Sequence, residues 1–233
     1  MKRPLEGGAQ LSITCYPTGV RCRRQPERGH IPPRTRFTED RILDATEALV
    51  QSQGIDAVSA RAIAAELGCS TAPIFRCFDS MDDLLEALMG RILAHFITAT
   101  ESPLDPDPLF AAGLGMVRFA AEQPRLYEAL FLRPHAWTAR WGPVRRRLAQ
   151  RMGKHPRYAH LPVDDRFGLV GRASILVHGL GAEVWFGRLP DASEAALRTL
   201  LHQLADPLVD AAIANGWTTD LHAPPRPAPA AAR

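Results

Sequence analysis

The sequence predicts an all-α fold of about nine helices. Apolar residues recur at helical spacing between the two ends of the chain, and the alternation that marks a half-buried strand is absent throughout. Four prolines, Pro124, Pro134, Pro162 and Pro190, fall between the later periodic stretches, where helices have to stop. The 233 residues are enough for one medium domain or two small ones with a hydrophobic core.

The first predicted helices begin at good N-caps and end at glycines. Thr38 precedes a helix that has acidic residues in its first turn and ends at Gly54. Three helices are expected here: one from Thr38 to Gly54, a short one over 60–67 behind Ser59, and a short one through Phe78 behind Ser70 or Thr71. A long amphipathic helix is expected from near Met81, and others near 107–122, 124–133, 137–152, 164–188 and 193–214.

Charge and composition divide the chain into four parts. Residues 1–36 hold eight basic and two acidic side chains, whereas the remainder holds 20 basic and 23 acidic ones. A basic arm beside a folded domain is a recurrent way to hold DNA phosphates, although a merely solvated tail has the same composition. The predicted parts are a disordered basic arm at 1–33, helical domains at 34–81 and 82–222, and a disordered tail at 223–233.

The sequence excludes several classes of protein. No stretch of about 18 apolar residues occurs, and no apolar run follows the basic N-terminus, so we expect a cytoplasmic protein without a membrane partner. The cysteines fit neither a disulfide framework nor a zinc site; they are Cys15, Cys22, Cys69 and Cys77. The sequence contains no nucleophile–base pair, metal-ligand spacing or phosphate loop, so we expect no enzymatic activity, metal or cofactor.

Residues 59–78 contain the most specific functional pattern in the sequence. They predict two short helices joined by a turn at Gly68, which is the helix-turn-helix arrangement, in which the second helix enters the DNA major groove. Ala64 is small where the two helices cross, and Gly68 permits the positive φ of a sharp turn. Ile74 and Phe78 are expected to anchor the second helix to the core. The residues then expected to face outward are Thr71, Ala72 and Arg76.

The run from Arg41 to Leu85 follows a known family pattern. The matching residues are Ile42-Leu43-Asp44-Ala45, Gly54, Val58-Ser59, Ile63-Ala64, Gly68-Cys69-Ser70, Ile74-Phe75-Arg76, Phe78 and Leu84-Leu85. On these residues the chain resembles the DNA-binding domain of the TetR family of transcriptional regulators. The resemblance implies a homodimer that binds a palindromic double-stranded DNA operator. The residues then expected at the DNA are Arg34, Thr35, Arg36, Ser59, Arg61, Ser70, Thr71, Ala72, Pro73, Phe75, Arg76 and Cys77.

Several of these positions have more than one interpretation. Arg76 is a candidate for contacting bases, because arginine pairs with guanine edges. The alternatives are that Arg76 contacts a phosphate or is only exposed to solvent. Thr71 and Ser59 are candidates for phosphate contacts, or else serve only as helix caps. Pro73 is expected to shape the start of the third helix.

Three positions depart from the family pattern. The family usually has Tyr, His and Lys, which commonly reach phosphates, where this chain has Phe75, Cys77 and Met81. Residues 37–80 also hold only three arginines against seven acids. Each lost phosphate contact weakens binding and flattens its salt dependence. We therefore expect Arg21–Arg36 to supply the missing contacts. The alternative is a TetR-like helical dimer with weakened or lost specific DNA binding that acts as a ligand- or protein-binding module.

The second half of the chain resembles a subset of the same family. The matching residues are Ala120, Pro124, Leu126-Tyr127, Leu130-Phe131, His178-Gly179-Leu180 and Trp185. The resemblance implies a small-molecule pocket, and its candidate walls are Phe96, Phe119, Tyr127, Phe131, Trp137, Trp141, His178 and Trp185. Few charged residues lie in these apolar stripes, which favours a small apolar or aromatic effector. The basic run Arg145–Arg147, with Arg151, is expected to be solvated.

The resemblance also implies that the last two long helices form the dimer interface. Small residues along one stripe let another helix approach closely. The candidate interface residues are Phe167, Gly171, Ser174, Gly181, Leu197, Leu200, Leu204 and Leu208. A dimer suits the predicted function, because two recognition helices have to meet two half-sites on one face of the DNA. The sequence therefore predicts a ligand-responsive repressor.

Overall fold

The computed structural model describes residues 37–133 and 141–214, which belong to one compact unit. Over these residues the chain forms nine α-helices and no strand, which confirms the predicted fold class. The helices are α1 Glu39–Gln53, α2 Ala60–Glu66, α3 Ile74–Cys77, α4 Met81–Glu101, α5 Pro108–Glu122, α6 Pro124–Tyr127, α7 Trp141–Met152, α8 Val163–Trp185 and α9 Glu194–Ala214. A 3-10 turn spans Ile55–Ala57 and a π turn spans Glu128–Leu132.

Local chemistry fixes the predicted helix starts. The hydroxyl of Thr38 accepts the N–H of Arg41 at 3.3 Å, and that of Ser59 accepts the N–H of Ala62 at 3.2 Å. These bonds satisfy amide groups that have no partner within the helix. Gly54 ends α1 with a φ of 88°, a conformation that residues with a side chain rarely adopt. The predicted limits of α1 and α2 are thereby confirmed.

The third helix is shorter than predicted. It begins at Ile74 rather than behind Ser70 or Thr71, and no side chain caps it. Pro73 occupies its N-cap, where a missing N–H costs little because the first N–H groups of a helix have no partner within it. Thr71 instead accepts the N–H of Ile74 at 3.1 Å through its backbone carbonyl, in a turn that leads into the helix.

The helix predicted over 124–133 is interrupted. An α-helical turn at Pro124–Tyr127 widens into the π turn at Glu128–Leu132. A π turn holds one more residue per hydrogen-bonded ring than an α turn and occurs often at functional sites. Leu130 and Phe131 of this turn face the cavity described below.

Helix α4 joins two apolar cores. Leu84 packs with Ile42, Ile63 and Ile74 in the core beneath α1–α3. Two turns further on, Ile92 belongs to the larger core formed with α5, α8 and α9. The predicted domain boundary at 81/82 therefore falls at the start of a helix that both cores share. No helix among the residues that the structure describes is long and apolar enough to cross a membrane.

Helix α5 packs between α4 and α8, and nearly all of its residues are buried. Gly115 is needed for this packing, because a Cβ there would overlap the backbone carbonyl of Ala99 on α4. Asp107 caps the N-terminus of α5 by accepting the N–H of Leu109 at 2.9 Å. The same carboxylate accepts the hydroxyl of Tyr158 at 2.6 Å, which ties the loop before α8 to α5.

Candidate nucleic-acid interface and ligand cavity

The helix-turn-helix has the packing that the sequence predicts. Gly68 takes a φ of 64° in the turn between α2 and α3. Ile74 is fully buried and Phe78 is 7% exposed, so these two residues hold α3 against the core. Ala64, also buried, lies where α2 approaches that core.

One exposed face remains on and beside α3. Ala72 and Arg76 are exposed, and Phe75 is unusual for a large apolar residue in being 48% exposed. The Nε of Arg76 lies 3.5 Å from the backbone carbonyl of Ala72, which leaves the other guanidinium N–H groups unbonded within the described chain. An aromatic ring beside a guanidinium can contact thymine methyls, sugars and base edges.

The other predicted DNA contacts fall into three groups. Ser59, Arg61 and Ser70 are exposed, and Thr71 is half-buried. Pro73 is buried, and the Sγ of half-buried Cys77 donates to the backbone carbonyl of Phe37 at 3.6 Å. Burial removes Pro73 from the predicted DNA-facing residues. A DNA contact of half-buried Cys77 stays a prediction, with its thiol bonded to the protein backbone. Arg34, Thr35 and Arg36 lie outside the described residues.

The acidic charge of α1–α3 is partly neutralised by partners elsewhere in the fold. Arg91 of α4 pairs with Asp44 at 2.6 Å and with Glu47 at 3.6 Å. Arg133 pairs with Asp56 at 2.6 Å. Three of the seven acids thus have cationic partners that their position in the sequence does not reveal. The helix-turn-helix is correspondingly less repulsive to a polyanion than its composition indicates.

A cavity of about 410 Å³ lies among α4, α5, α7, α8 and the π turn. This volume is within the roughly 300–1,000 Å³ range of small-molecule sites. Four predicted wall residues line it: Phe96, Phe131, Trp141 and His178. The rings of Phe131 and Trp141 are stacked with their centroids 5.0 Å apart, and Phe96 meets both edge to face.

The remaining predicted wall residues do not line the cavity. Phe119 packs behind Phe96, with ring centroids 5.7 Å apart. Buried Tyr127 donates its hydroxyl to the backbone carbonyl of His178 at 3.4 Å, and burial raises its pKa to about 12. The indole N–H of Trp185 donates to the carbonyl of Pro124 at 3.0 Å. These three residues position the wall, and Trp137 lies outside the described residues.

The prediction that the basic run on α7 is solvated is wrong for Arg145 and Arg151, which are half-buried, whereas Arg146 and Arg147 are exposed. Arg145, Arg147 and Arg151 line the cavity, whereas Arg146 pairs with Asp164 at 3.2 Å. The signal for this arrangement was present in the sequence. Apolar or aromatic residues at 141, 144 and 148 place one face of α7 against the cavity, and positions 145 and 151 fall on that face.

His178 is held in its neutral form. Burial lowers the pKa of its imidazole to about 4, and the positive charge of Arg145 adds to the lowering. The ring meets Phe131 edge to face at 4.8 Å. At neutral pH His178 therefore offers the cavity a hydrogen-bonding group without charge.

The outer face of α8 and α9 differs from the predicted dimer interface. Leu197, Gly171 and Gly181 are buried inside the subunit, and a Cβ at Gly181 would lie 2.7 Å from the hydroxyl of Tyr127. Their prediction as interface residues is thereby corrected. Ser174 lines the cavity and Phe167 packs under Arg146; Leu200 and Leu208 are half-buried. The apolar residues most exposed on this face are Ile175 at 63% and Leu204 at 47%.

Comparisons with known proteins agree with this geometry. Residues 42–88 match the family profile described as "Bacterial regulatory proteins, tetR family". The HTH-type transcriptional repressor DrrR1 of Streptomyces coeruleorubidus is 29% identical over 114 residues, which are 49% of this chain. The chain spans only 37% of the length of that curated relative.

Solved structures share the fold. A TetR-like transcriptional regulator from Rhodococcus sp. RHA1 superposes with a TM-score of 0.56 at 21% identity, over 74% of this chain and 95% of that one. A TetR family protein from Vibrio parahaemolyticus superposes with a TM-score of 0.52 at 20% identity, over 74% of this chain and 97% of that one. At these identities the likeness concerns the fold alone.

The described residues form an exposed helix-turn-helix on a helical body that contains a cavity. Residues 42–88 are thus similar to bacterial regulatory proteins of the tetR family, and the described chain shares its fold with two TetR-like structures. The matched profile describes regulatory proteins, and the curated relative is a transcriptional repressor.

Proposed function

We propose that this chain is a cytoplasmic transcriptional repressor that binds a palindromic DNA operator as a homodimer and releases it when a small molecule binds. The observation that supports this most is the presence of an exposed Phe75–Arg76 face and a 410 Å³ cavity in one compact unit. Arg133 lines the cavity and contacts Asp56 between α1 and α2, so one side chain belongs to both regions.

DNA binding is proposed to use two parts of the chain. The face formed by Ala72, Phe75 and Arg76 enters the major groove, with Arg76 contacting a guanine edge. Residues 1–36, with eight basic side chains, contact phosphates or the adjacent minor groove. This division compensates for the phosphate contacts that Phe75, Cys77 and Met81 cannot make.

Dimerisation is proposed to use the exposed apolar face of α8 and α9. Ile175 and Leu204 are large and exposed. Ile175 lines a shallow groove with Arg172, Leu176, Leu208 and Ala212, and Leu204 lies one helical turn before Leu208. A second copy would cover these side chains and remove their apolar surface from water. A two-fold dimer also places two recognition helices about one DNA turn apart, roughly 34–36 Å, as a palindrome requires.

The ligand response is proposed to be a shift between two arrangements of the same dimer. In one arrangement the recognition helices match the half-sites, and in the other they do not. A ligand that binds the second arrangement more tightly lowers the affinity for DNA, at most by the ratio of its own affinities for the two arrangements. The cavity wall reaches the helix-turn-helix through Arg133 and through α4, whose residues belong to both cores.

A gel shift against the intergenic DNA upstream of the protein's own gene tests the proposal. The full chain should retard this DNA and leave a shuffled duplex of equal composition unshifted at the same concentration. A variant lacking residues 1–36 should lose the shift while keeping its helical circular dichroism. Unchanged affinity after truncation would refute the role of the arm. Absence of any specific shift would favour the alternative of a helical dimer without specific DNA binding.

A further inference from the structure

The charges on the cavity wall are strongly asymmetric. Four arginines line the cavity, Arg133, Arg145, Arg147 and Arg151, against the single carboxylate of Glu101. The rest of the wall is mainly apolar and aromatic. A cation beside such a wall loses part of its hydration, so it requires a compensating acceptor.

Two of the arginines have that acceptor. The Nε of Arg147 lies 2.7 Å from one oxygen of Glu101, and its Nη2 lies 3.1 Å from the other. Arg133 pairs with Glu128 at 2.9 Å and with Asp56 at 2.6 Å. Both side chains are therefore neutralised by the protein itself.

The other two arginines lack a carboxylate partner within residues 37–133 and 141–214. Arg145 and Arg151 are both half-buried, and neither forms an ion pair or hydrogen bond there. The sequence 134–140, which joins the cavity-lining residues Arg133 and Trp141, contains no acid that could serve. Among the residues that the structure describes, these two positive charges face the cavity without a negative counterpart.

The opposite wall supplies no charge at neutral pH. His178 on α8 is neutral, because burial and then Arg145 lower its pKa to about 4. His178 and Arg145 both line the cavity, from α8 and α7 respectively. A cationic ligand would meet the two positive charges unfavourably, and a neutral one would leave both arginines uncompensated.

We infer that the cavity binds an organic anion with a flat apolar body, whose carboxylate pairs with Arg145 and Arg151 while its body packs against Phe96, Phe131 and Trp141. The inference rests on the proposed function only in treating the cavity as an effector site. It adds a negative charge to the small apolar or aromatic effector that the sequence favoured, because that prediction took the α7 arginines to be solvated. Arginine suits this role, since its planar guanidinium can hold a carboxylate with two parallel hydrogen bonds.

Three probes of one shape and different charge test the inference by isothermal titration calorimetry on the full chain. They are naphthalene-2-carboxylate, naphthalene-2-carboxamide and 2-naphthylmethylammonium. The carboxylate should bind at least about tenfold more tightly than the amide, as charge-assisted hydrogen bonds in a partly buried site provide. The ammonium compound should bind most weakly of the three.

Substitutions on α7 show which of its arginines produce the preference for the carboxylate over the amide. Arg145→Gln and Arg151→Gln should each reduce the carboxylate's advantage severalfold, and the double variant should abolish it. The affinity of each variant for the amide should stay within about twofold of the wild-type value, and this result would show that the cavity remains intact. Arg146→Gln is the matched control, because Arg146 belongs to the same helix but pairs with Asp164 and does not line the cavity.

Three outcomes would overturn the inference: no measurable carboxylate binding at millimolar concentration, carboxylate and amide of equal affinity, or a preference that survives the double substitution. None of these titrations contains DNA. A failed gel shift with an intact carboxylate preference would refute the repressor function alone. A specific gel shift without that preference would refute the anion site alone.

Discussion

The guanidinium of Arg133 lies 2.6 Å from the carboxylate of Asp56, although 77 residues separate them. Asp56 belongs to the turn between α1 and α2, and Arg133 lines the cavity. The same guanidinium also bonds Glu128 of the π turn at 2.9 Å. The pair therefore connects the wall of the cavity with the turn that leads into the helix-turn-helix.

We expect this pair to transmit the ligand response. Arg133→Gln should reduce the factor by which a cavity ligand weakens operator binding, because the bond to Asp56 is lost whether or not ligand is present. Asp56→Asn should have the same effect, and the double variant should add little, as in a thermodynamic cycle for two groups in contact. Fluorescence anisotropy with and without ligand measures the factor. Arg188→Gln, which breaks an exposed pair with Glu183, is the control; an undiminished response in both variants would contradict the account.

Gly115→Ala should destabilise the fold. The new methyl group would overlap the backbone of Ala99, which cannot rotate away as a side chain can. Overpacking of this kind costs roughly 1–3 kcal/mol, and a backbone obstacle favours the upper end. Urea denaturation measures the free energy of unfolding. Gly142→Ala is the control, because no atom lies within 4 Å of its new Cβ, and it should change the free energy of unfolding far less. Equal stability of the two variants would show that α4 and α5 are not so closely packed.

Stability should depend on pH through His202. Burial alone would lower its pKa, but hydrogen bonds with Asp105 at 3.0 Å and Asp206 at 2.8 Å outweigh burial and raise it. Protonated His202 then stabilises the folded chain below its ordinary pKa of 6.5, and this contribution is lost as pH rises through the raised value. Between pH 6 and 9 the wild-type melting temperature should fall more than that of His202→Gln. The difference between the two proteins should be small, because solvent screens a partly exposed group. Parallel curves of melting temperature against pH would refute the role of His202.

Leu204→Glu should convert the dimer into a monomer. Leu204 is 47% exposed on α9, and a carboxylate there would be buried without a partner if a second copy covers this face. Light scattering after gel filtration gives the mass at micromolar concentration. Gln203→Glu adds the same charge at the neighbouring exposed position and should leave the mass unchanged. A dimer of Leu204→Glu with wild-type affinity would exclude this face as the interface.

Local features of the sequence predicted local structure well. Thr38, Ser59 and Gly68 act on residues within four positions, so their patterns sufficed for the helix limits and the helix-turn-helix. The Arg133–Asp56 pair was not predictable, because the partners lie far apart in sequence and either alone resembles a solvated charge. The small-residue stripe on α8 correctly indicated a close approach. It did not reveal that Gly181 approaches Tyr127 of the same subunit and not a second copy.

The charge run on α7 shows the same limit for the cavity. Clustered arginines are usually solvated, and composition alone could not show that Arg145 and Arg151 share a face with Trp141. The helical period contained that information, but the location of the cavity depends on how α4, α5 and α8 pack around it. The chemical class of ligand therefore became accessible only from the packed structure.

The most direct test of the central claim is operator binding by Arg76→Gln, compared with the wild-type chain and Arg188→Gln. Duplexes enriched by the wild-type chain from a random library serve as operator, and shuffled duplexes serve as the non-specific reference. Loss of a guanine contact should weaken operator binding about 5- to 150-fold, or roughly 1–3 kcal/mol, and relax the preference at one base pair in each half-site. Arg188→Gln should bind as the wild type does. Equal binding of operator and shuffled DNA by the wild type, or unchanged specificity in Arg76→Gln, would contradict the account.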